Sequence, residues 1–241
     1  MQVYGRSDRG RVRQNNQDAF MCGTLAENVL FSVVCDGMGG ANGGNIASAL
    51  AVKVIAARIV ECYRENMSPE SIHFMLESAI AAANIEVFDT ATADPSLQGM
   101  GTTVVATVIT GQQAVVAHIG DSRAYLITED AITQITRDHS VVQQMIERGE
   151  LTKEEARTHP NKHFITRALG VEENVESEID ILDVPENGKL LVCTDGLSNM
   201  IEETEMANIL QTMTPGDAVE KLVVAANMAG GSDNITVSVF A

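Results

Sequence analysis

Four acidic residues stand where apolar segments break off. Asp36-Gly37 closes FSVVCDG at residues 31–37, and Asp195-Gly196 closes LLVCTDG at 190–196. Asp121 lies in HIGDS and Asp233 in GGSDN. Any one of them reads as turn chemistry, because Asp bonds nearby backbone groups and Gly takes a positive φ. Asp89 and Asp130 lack such neighbours and ask for nothing more. The four together invite one explanation. Carboxylates gathered at the ends of core strands lose hydration and repel unless cations neutralise them. A ligand set made of oxygen alone suits hard cations such as Mg²⁺ or Mn²⁺.

Other chemistries lack their signatures. The histidines, His73, His118, His139, His159 and His163, are scattered, and HExxH is absent. No EF-hand spacing of acids is present, so a calcium sensor is not signalled. In GMGGANGGN, Gly39 and Gly44 have the Walker A spacing, but Asn45 occupies the lysine position. Asn42 likewise occupies the third glycine position of a G-x-G-x-x-G motif counted from Gly37. These glycines read as sites of close backbone approach, and Gly37 can offer its carbonyl to a metal. Cys22, Cys35, Cys62 and Cys193 show no C-x-x-C pair and no Cys-x5-Arg nucleophile motif. Arg13, five residues before Asp18, is a surface residue if alone. Beside a carboxylate–metal cluster it becomes a candidate for bidentate phosphate binding.

The elements that must hold these residues are those of a soluble globular chain. It has 241 residues, 45% of them hydrophobic but only 4% aromatic, so the core is aliphatic. A formal net charge of −17 argues against nucleic acid or an anionic membrane as partner. Solubility accounts for most of that acidity. No signal-peptide stretch opens the chain, and Lys53 and Arg58 interrupt its longest apolar run, so a cytoplasmic protein is expected.

Strand patterns cover 29–35, 102–110, 112–119, 123–127, 131–135, 175–182, 189–194 and 235–240. Helical spacing covers 45–65, 69–88 with Ser68 as N-cap, 139–157, about 202–212 and 215–229. Short links between the middle strands imply antiparallel pairing. Blocks of strands alternating with helix pairs predict an α+β layered fold of one domain. The more polar stretch at 139–170 is read as an appended flap.

The ordered motifs resemble the metal-dependent protein phosphatases of the protein phosphatase 2C type, in their bacterial branch. They are GRVRQNNQDAF (10–20), VVCDGMGGANGG (33–44), GMGTTVVA (99–106), HIGDSRAYL (118–126), ITRDHS (135–140), HPNKHFITRALG (159–170), LLVCTDGLSNM (190–200) and GGSDNITV (230–237). The resemblance spans the whole chain. It implies a β-sandwich of two mainly antiparallel sheets flanked by helix pairs (α-β-β-α), with a dinuclear metal site at one end.

Carried over by position, Asp36 bridges two Mn²⁺ or Mg²⁺ ions, and Gly37 gives its carbonyl to the first. Asp18 acts through water, Asp195 and Asp233 hold the second ion, and Asp121 with Asp195 binds a third, weaker one. Arg13 binds the phosphate. The implied activity is hydrolysis of phosphoserine and phosphothreonine by a metal-bridging water, with the ions about 4 Å apart and no phospho-enzyme. The catalytic residues are then Arg13, Asp36 and Asp195. The implied partners are phosphorylated proteins and a cognate bacterial Ser/Thr kinase that the enzyme opposes, and the chain is expected to act as a monomer.

The match has departures. Met38 stands where eukaryotic members carry a His proposed as general acid, and Ala41 where bacterial members commonly have His. Asn45 replaces a common Glu, and His163 a common Asn in the flap. The acid that protonates the leaving alcohol is therefore open between water at the third site and water from solvent. His163 is expected to bear on flap packing or substrate choice. Three rival readings are a catalytically silent binding module of the same fold, which would have lost metal ligands, a phosphatase dedicated to one anti-sigma-factor antagonist, and a structural protein whose acidic turns are merely turns, which leaves the ordered motifs and Arg13 unexplained.

Overall fold

In the computed structural model residues 1–241 are described, apart from side chains at 40–42, so the Ala41 departure lies outside the described residues. The chain runs β1 (Val3–Asp8), β2 (Asp18–Ala26), β3 (Val29–Met38), α1 (Gly40–Cys62) and α2 (Pro69–Ala93). Then come β4 (Gly101–Thr102), β5 (Val104–Thr110), β6 (Gln113–Ile119), β7 (Arg123–Ile127) and β8 (Ile132–Gln134). Two short helices, α3 (Val141–Glu147) and α4 (Lys153–Thr158), precede β9 (Glu178–Asp183) and β10 (Lys189–Cys193). The chain closes with α5 (Asp195–Ser198), α6 (Glu203–Thr212), α7 (Pro215–Met228) and β11 (Ile235–Phe240).

One sheet has the order β1-β11-β10-β7-β8, the other β2-β3-β5-β6-β9 with β4 paired to β3, and every ladder is antiparallel. Strand alternation explains how they stack. On β3, Val29, Phe31, Val33 and Cys35 pack with α1 and α2, while Leu30 and Val34 face the other sheet. On β10, Leu191 and Cys193 face α6 and α7, while Leu190 and Val192 meet Leu30 and Val34 between the sheets. Both faces of the central strands are buried. They therefore read as continuous apolar runs rather than as alternating ones.

The sandwich with flanking helix pairs is the expected α+β architecture, and several boundaries differ from the sequence reading. β1 and β2 were not assigned, because their half-buried residues are mixed in polarity. The helix expected over 139–157 is two helices, parted where Gly149 takes φ +72°. A capping box between Thr152 and Glu155 restarts the second. Helix α1 begins at Gly40, not at 45. By length and composition, Gly43–Cys62 within it suffices to cross a membrane, at mean hydropathy 1.4. Half of that stretch is buried, and Ala47, Ala51, Ile55 and Ile59 form part of the core against β3.

Candidate metal centre

Antiparallel register gathers the acidic residues at one end of the sandwich. Asp18 opens β2 and pairs directly across from Asp36 near the end of β3. Asp195 follows β10, Asp233 precedes the antiparallel β11, and Asp121 lies between β6 and β7. A cavity of about 570 Å³ opens there, lined by Arg13, Asp36, Gly37, Met38, Asp121, His163, Asp195 and Asp233 among others. Asp18 sits beneath it.

Each aspartate is held by its own local contacts. The Asp18 Oδ2 accepts from Thr194 Oγ1 at 2.9 Å and Thr236 Oγ1 at 2.7 Å. Thr194 Oγ1 also accepts the Thr236 amide at 3.0 Å, so β10 and β11 are tied where they support Asp18. The Asp36 amide donates to Thr103 Oγ1, and its carbonyl accepts from the Thr103 amide and Thr102 Oγ1. GMGTT thus serves as a brace for Asp36. Asp195 Oδ2 accepts from Asn199 Nδ2 at 3.0 Å. Asp233 Oδ2 accepts from Arg13 Nη2 at 2.7 Å. Before Asp121, Gly120 takes φ +105°, a conformation that favours glycine.

The two Asp-Gly pairs have a cause other than the turn chemistry expected of them. Gly37 and Gly196 are not in the left-handed region. A Cβ at Gly37 would lie 2.0 Å from the Gly44 carbonyl oxygen, and one at Gly196 would lie 1.8 Å from that of Asn234. Glycine is required there because another backbone passes against it.

The carboxylates disturb one another. Burial, then the charges of Asp18, Asp195, Asp121 and Asp233, hold the Asp36 carboxyl well above its usual range. Burial, then Asp195, does the same to Asp121. Burial raises Asp18 to about 7 against the pull of the two threonine hydroxyls. Burial and then Asp233 raise Asp195. The buried Oδ1 atoms of Asp18 and Asp195 have no hydrogen-bond partner. A cluster of hard oxygen donors with unsatisfied lone pairs and mutually raised pKa values fits bound divalent cations, which would satisfy the oxygens and cancel the repulsion.

Two groups of residues were missed in the sequence. Asn234 is buried and fully engaged: its Oδ1 accepts the Gln17 amide, and its Nδ2 donates to the carbonyls of Arg9 and Asn15. It fastens the loop carrying Arg13 to β11, and its place beside Asp233 was the available signal. The histidines are also less scattered than they read. The rings of His118 and His139 stack with centroids 4.8 Å apart, and His139 Nε2 lies 3.1 Å from Glu178 Oε1.

One ligand atom from each of these residues lies within 4.8 Å of the other two. His139 Nδ1 accepts the Gly120 amide, so Nε2 carries the ring proton. The guanidiniums of Arg137 and Arg167 also reach Glu178. The His139–Glu178 pair thus braces the turn before Asp121 through the Gly120 amide.

Comparison with known proteins agrees with this geometry. The protein phosphatase 2C family model matches residues 5–228. The serine/threonine phosphatase stp of Listeria monocytogenes is 39% identical over 98% of this chain and 94% of its own. The solved serine/threonine phosphatase of S. agalactiae superposes with a TM-score of 0.91 at 33% identity, covering 99% of this chain and 98% of that one. The catalytic domain of the serine threonine protein phosphatase PstP, solved in complex with 2 manganese ions, gives a TM-score of 0.86 at 33% identity, covering 99% and 96%. With a match of this extent in both sequence and structure, the chain belongs to the protein phosphatase 2C family.

Proposed function

We propose that this chain is a metal-dependent protein phosphatase that hydrolyses phosphoserine and phosphothreonine in proteins, opposing a Ser/Thr kinase. The observation that carries this reading is the convergence of Asp36, Asp121, Asp195 and Asp233 on one cavity that also holds Arg13, with the buried Asp18 electrostatically tied to the same carboxylates. Asp36, central to the mutual repulsion, would contribute to holding both cations. Gly37 and Asp18 would help to hold the first, Asp195 and Asp233 the second, and Asp121 with Asp195 would hold a third more weakly. Mn²⁺ is preferred over Mg²⁺ in this reading because a related catalytic domain was solved with manganese. Cations held there supply acidification of a water and neutralisation of the phosphoryl oxygens.

The protein's own groups do the positioning. Arg13, exposed and bonded to Asp233 through one nitrogen, has donors left to bind a phosphate at the cavity mouth. Thr194 and Thr236 orient Asp18, and Thr102 and Thr103 fix the Asp36 backbone. Residues 1–241 are read as one catalytic domain, with 139–170 as its flap, acting as a monomer. A cytoplasmic location is supported by four unpaired cysteines. The intact acidic set favours catalysis over a silent binding module. Phosphate release from a phosphothreonine peptide, measured with Mn²⁺ and again with chelator, tests the reading. Release only with metal supports it, and the absence of metal-dependent release refutes it.

A further inference from the structure

The flap reaches the cavity through a single short segment. Its two ends are zipped together by an amide of Val141 donating to the Phe164 carbonyl at 2.9 Å and an amide of Thr166 donating to the His139 carbonyl at 2.8 Å. Leu169 and Thr102 exchange backbone hydrogen bonds at 2.8 and 3.1 Å, which fastens the far end to the strand that braces Asp36. This stem places His163 in the wall of the cavity that Arg13 also lines. The sequence associates His163 with flap packing or substrate choice, and its side chain is exposed and engaged in no hydrogen bond among the described residues. His163 and Asp195 line the same cavity.

A departing serine or threonine alkoxide is a poor leaving group unless a proton reaches it as the P–O bond breaks. The cavity offers few sources. Met38 carries no proton to give, Arg13 does not surrender one, and the amides and hydroxyls of the wall are not acids near neutral pH. The aspartates are the groups the cations occupy. Imidazole is the side chain whose chemistry suits the step.

We propose that His163 is the general acid of this enzyme, a role that rests on the phosphatase reading above. As the water oxygen bonds to phosphorus and gives up one proton to solvent, the P–Oγ bond breaks. The imidazolium N–H passes its proton to Oγ, the alcohol leaves, and the neutral ring recovers a proton from solvent. Phosphate departs with the oxygen of the water.

The test compares two substrates that differ in their need for that proton. His163→Ala and His163→Asn are assayed with saturating Mn²⁺ on a phosphothreonine peptide and on p-nitrophenyl phosphate, whose phenolate leaves without help. The expected result is a kcat loss of about 10²-fold or more on the peptide, far larger than the loss on the aryl ester. Added imidazole is expected to restore part of the peptide turnover in His163→Ala. Equal losses on both substrates, or full peptide turnover in both variants, overturn the proposal. Wild-type protein inactive on both substrates would instead overturn the phosphatase reading itself.

Discussion

In the proposed reading Asp36 and Arg13 divide the work of the site between them, and substitutions separate their roles. Asp36→Asn and Asp195→Asn would each remove a charge that the cations need. Turnover on a phosphothreonine peptide is expected to fall by at least ~10²-fold in either variant while the chain stays folded. Wild-type-like turnover in Asp36→Asn contradicts its bridging role. Arg13→Ala removes a charge-assisted contact to phosphate, so KM for the phosphopeptide is expected to rise about 10–100-fold with a smaller change in kcat. An unchanged KM contradicts the clamp. Asp36 and Asp195 stood out in the sequence because each ends an apolar run in a short motif, whereas Arg13, in a polar stretch, stood out only through the carboxylate cluster and the family resemblance. Asn234 and the threonine pair Thr194 and Thr236 were not. Their importance lies in whom they bond across the fold, between residues more than 170 positions apart, and local pattern carries no record of that.

At the scale of elements, close backbone approach and buried pairing hold the site together. Gly196→Ala places a methyl against the Asn234 carbonyl, which must move along with the loop that Asn234 fastens. An overpacking cost of about 1–3 kcal/mol is expected, with loss of cation affinity, read by thermal melts and Mn²⁺ titration. Near-native values for both would refute the close-approach argument. Beside the cavity, Arg123 grips Asp138 with two nitrogens and also donates to the Tyr125 hydroxyl. Asp138 is buried and Arg123 mostly so. Asp138→Ala leaves that guanidinium without its counter-charge and is expected to cost about 3–5 kcal/mol, and a denaturant titration showing less than ~1 kcal/mol would refute it. The sequence showed the buried strands plainly, because apolar residues on both faces leave continuous runs. It hid β1 and β2, whose half-buried residues carry no such run, and it merged α3 with α4 because the glycine that parts them is a single residue in a helical pattern.

For the whole molecule, the cluster makes stability depend on pH and on metal together. Unfolded, Asp18 ionises near 3.8, and folded it does so near about 7. Between those values the folded chain keeps a proton that the unfolded chain has lost, so stability falls as pH rises through that window. Asp36 and Asp121, raised by the same crowding, add to the trend. With chelator present, the melting temperature is expected to drop between about pH 4 and pH 7, and added Mn²⁺ is expected to raise it far more at the upper end. A metal effect of equal size at both ends contradicts the linkage. The most direct measurement is calorimetric titration of Mn²⁺ into wild type and Asp36→Asn near neutral pH, paired with peptide turnover on the same samples. Two strong Mn²⁺ sites lost together with turnover in Asp36→Asn is the predicted result; a variant that keeps both sites, or that loses them and still turns over, contradicts the account.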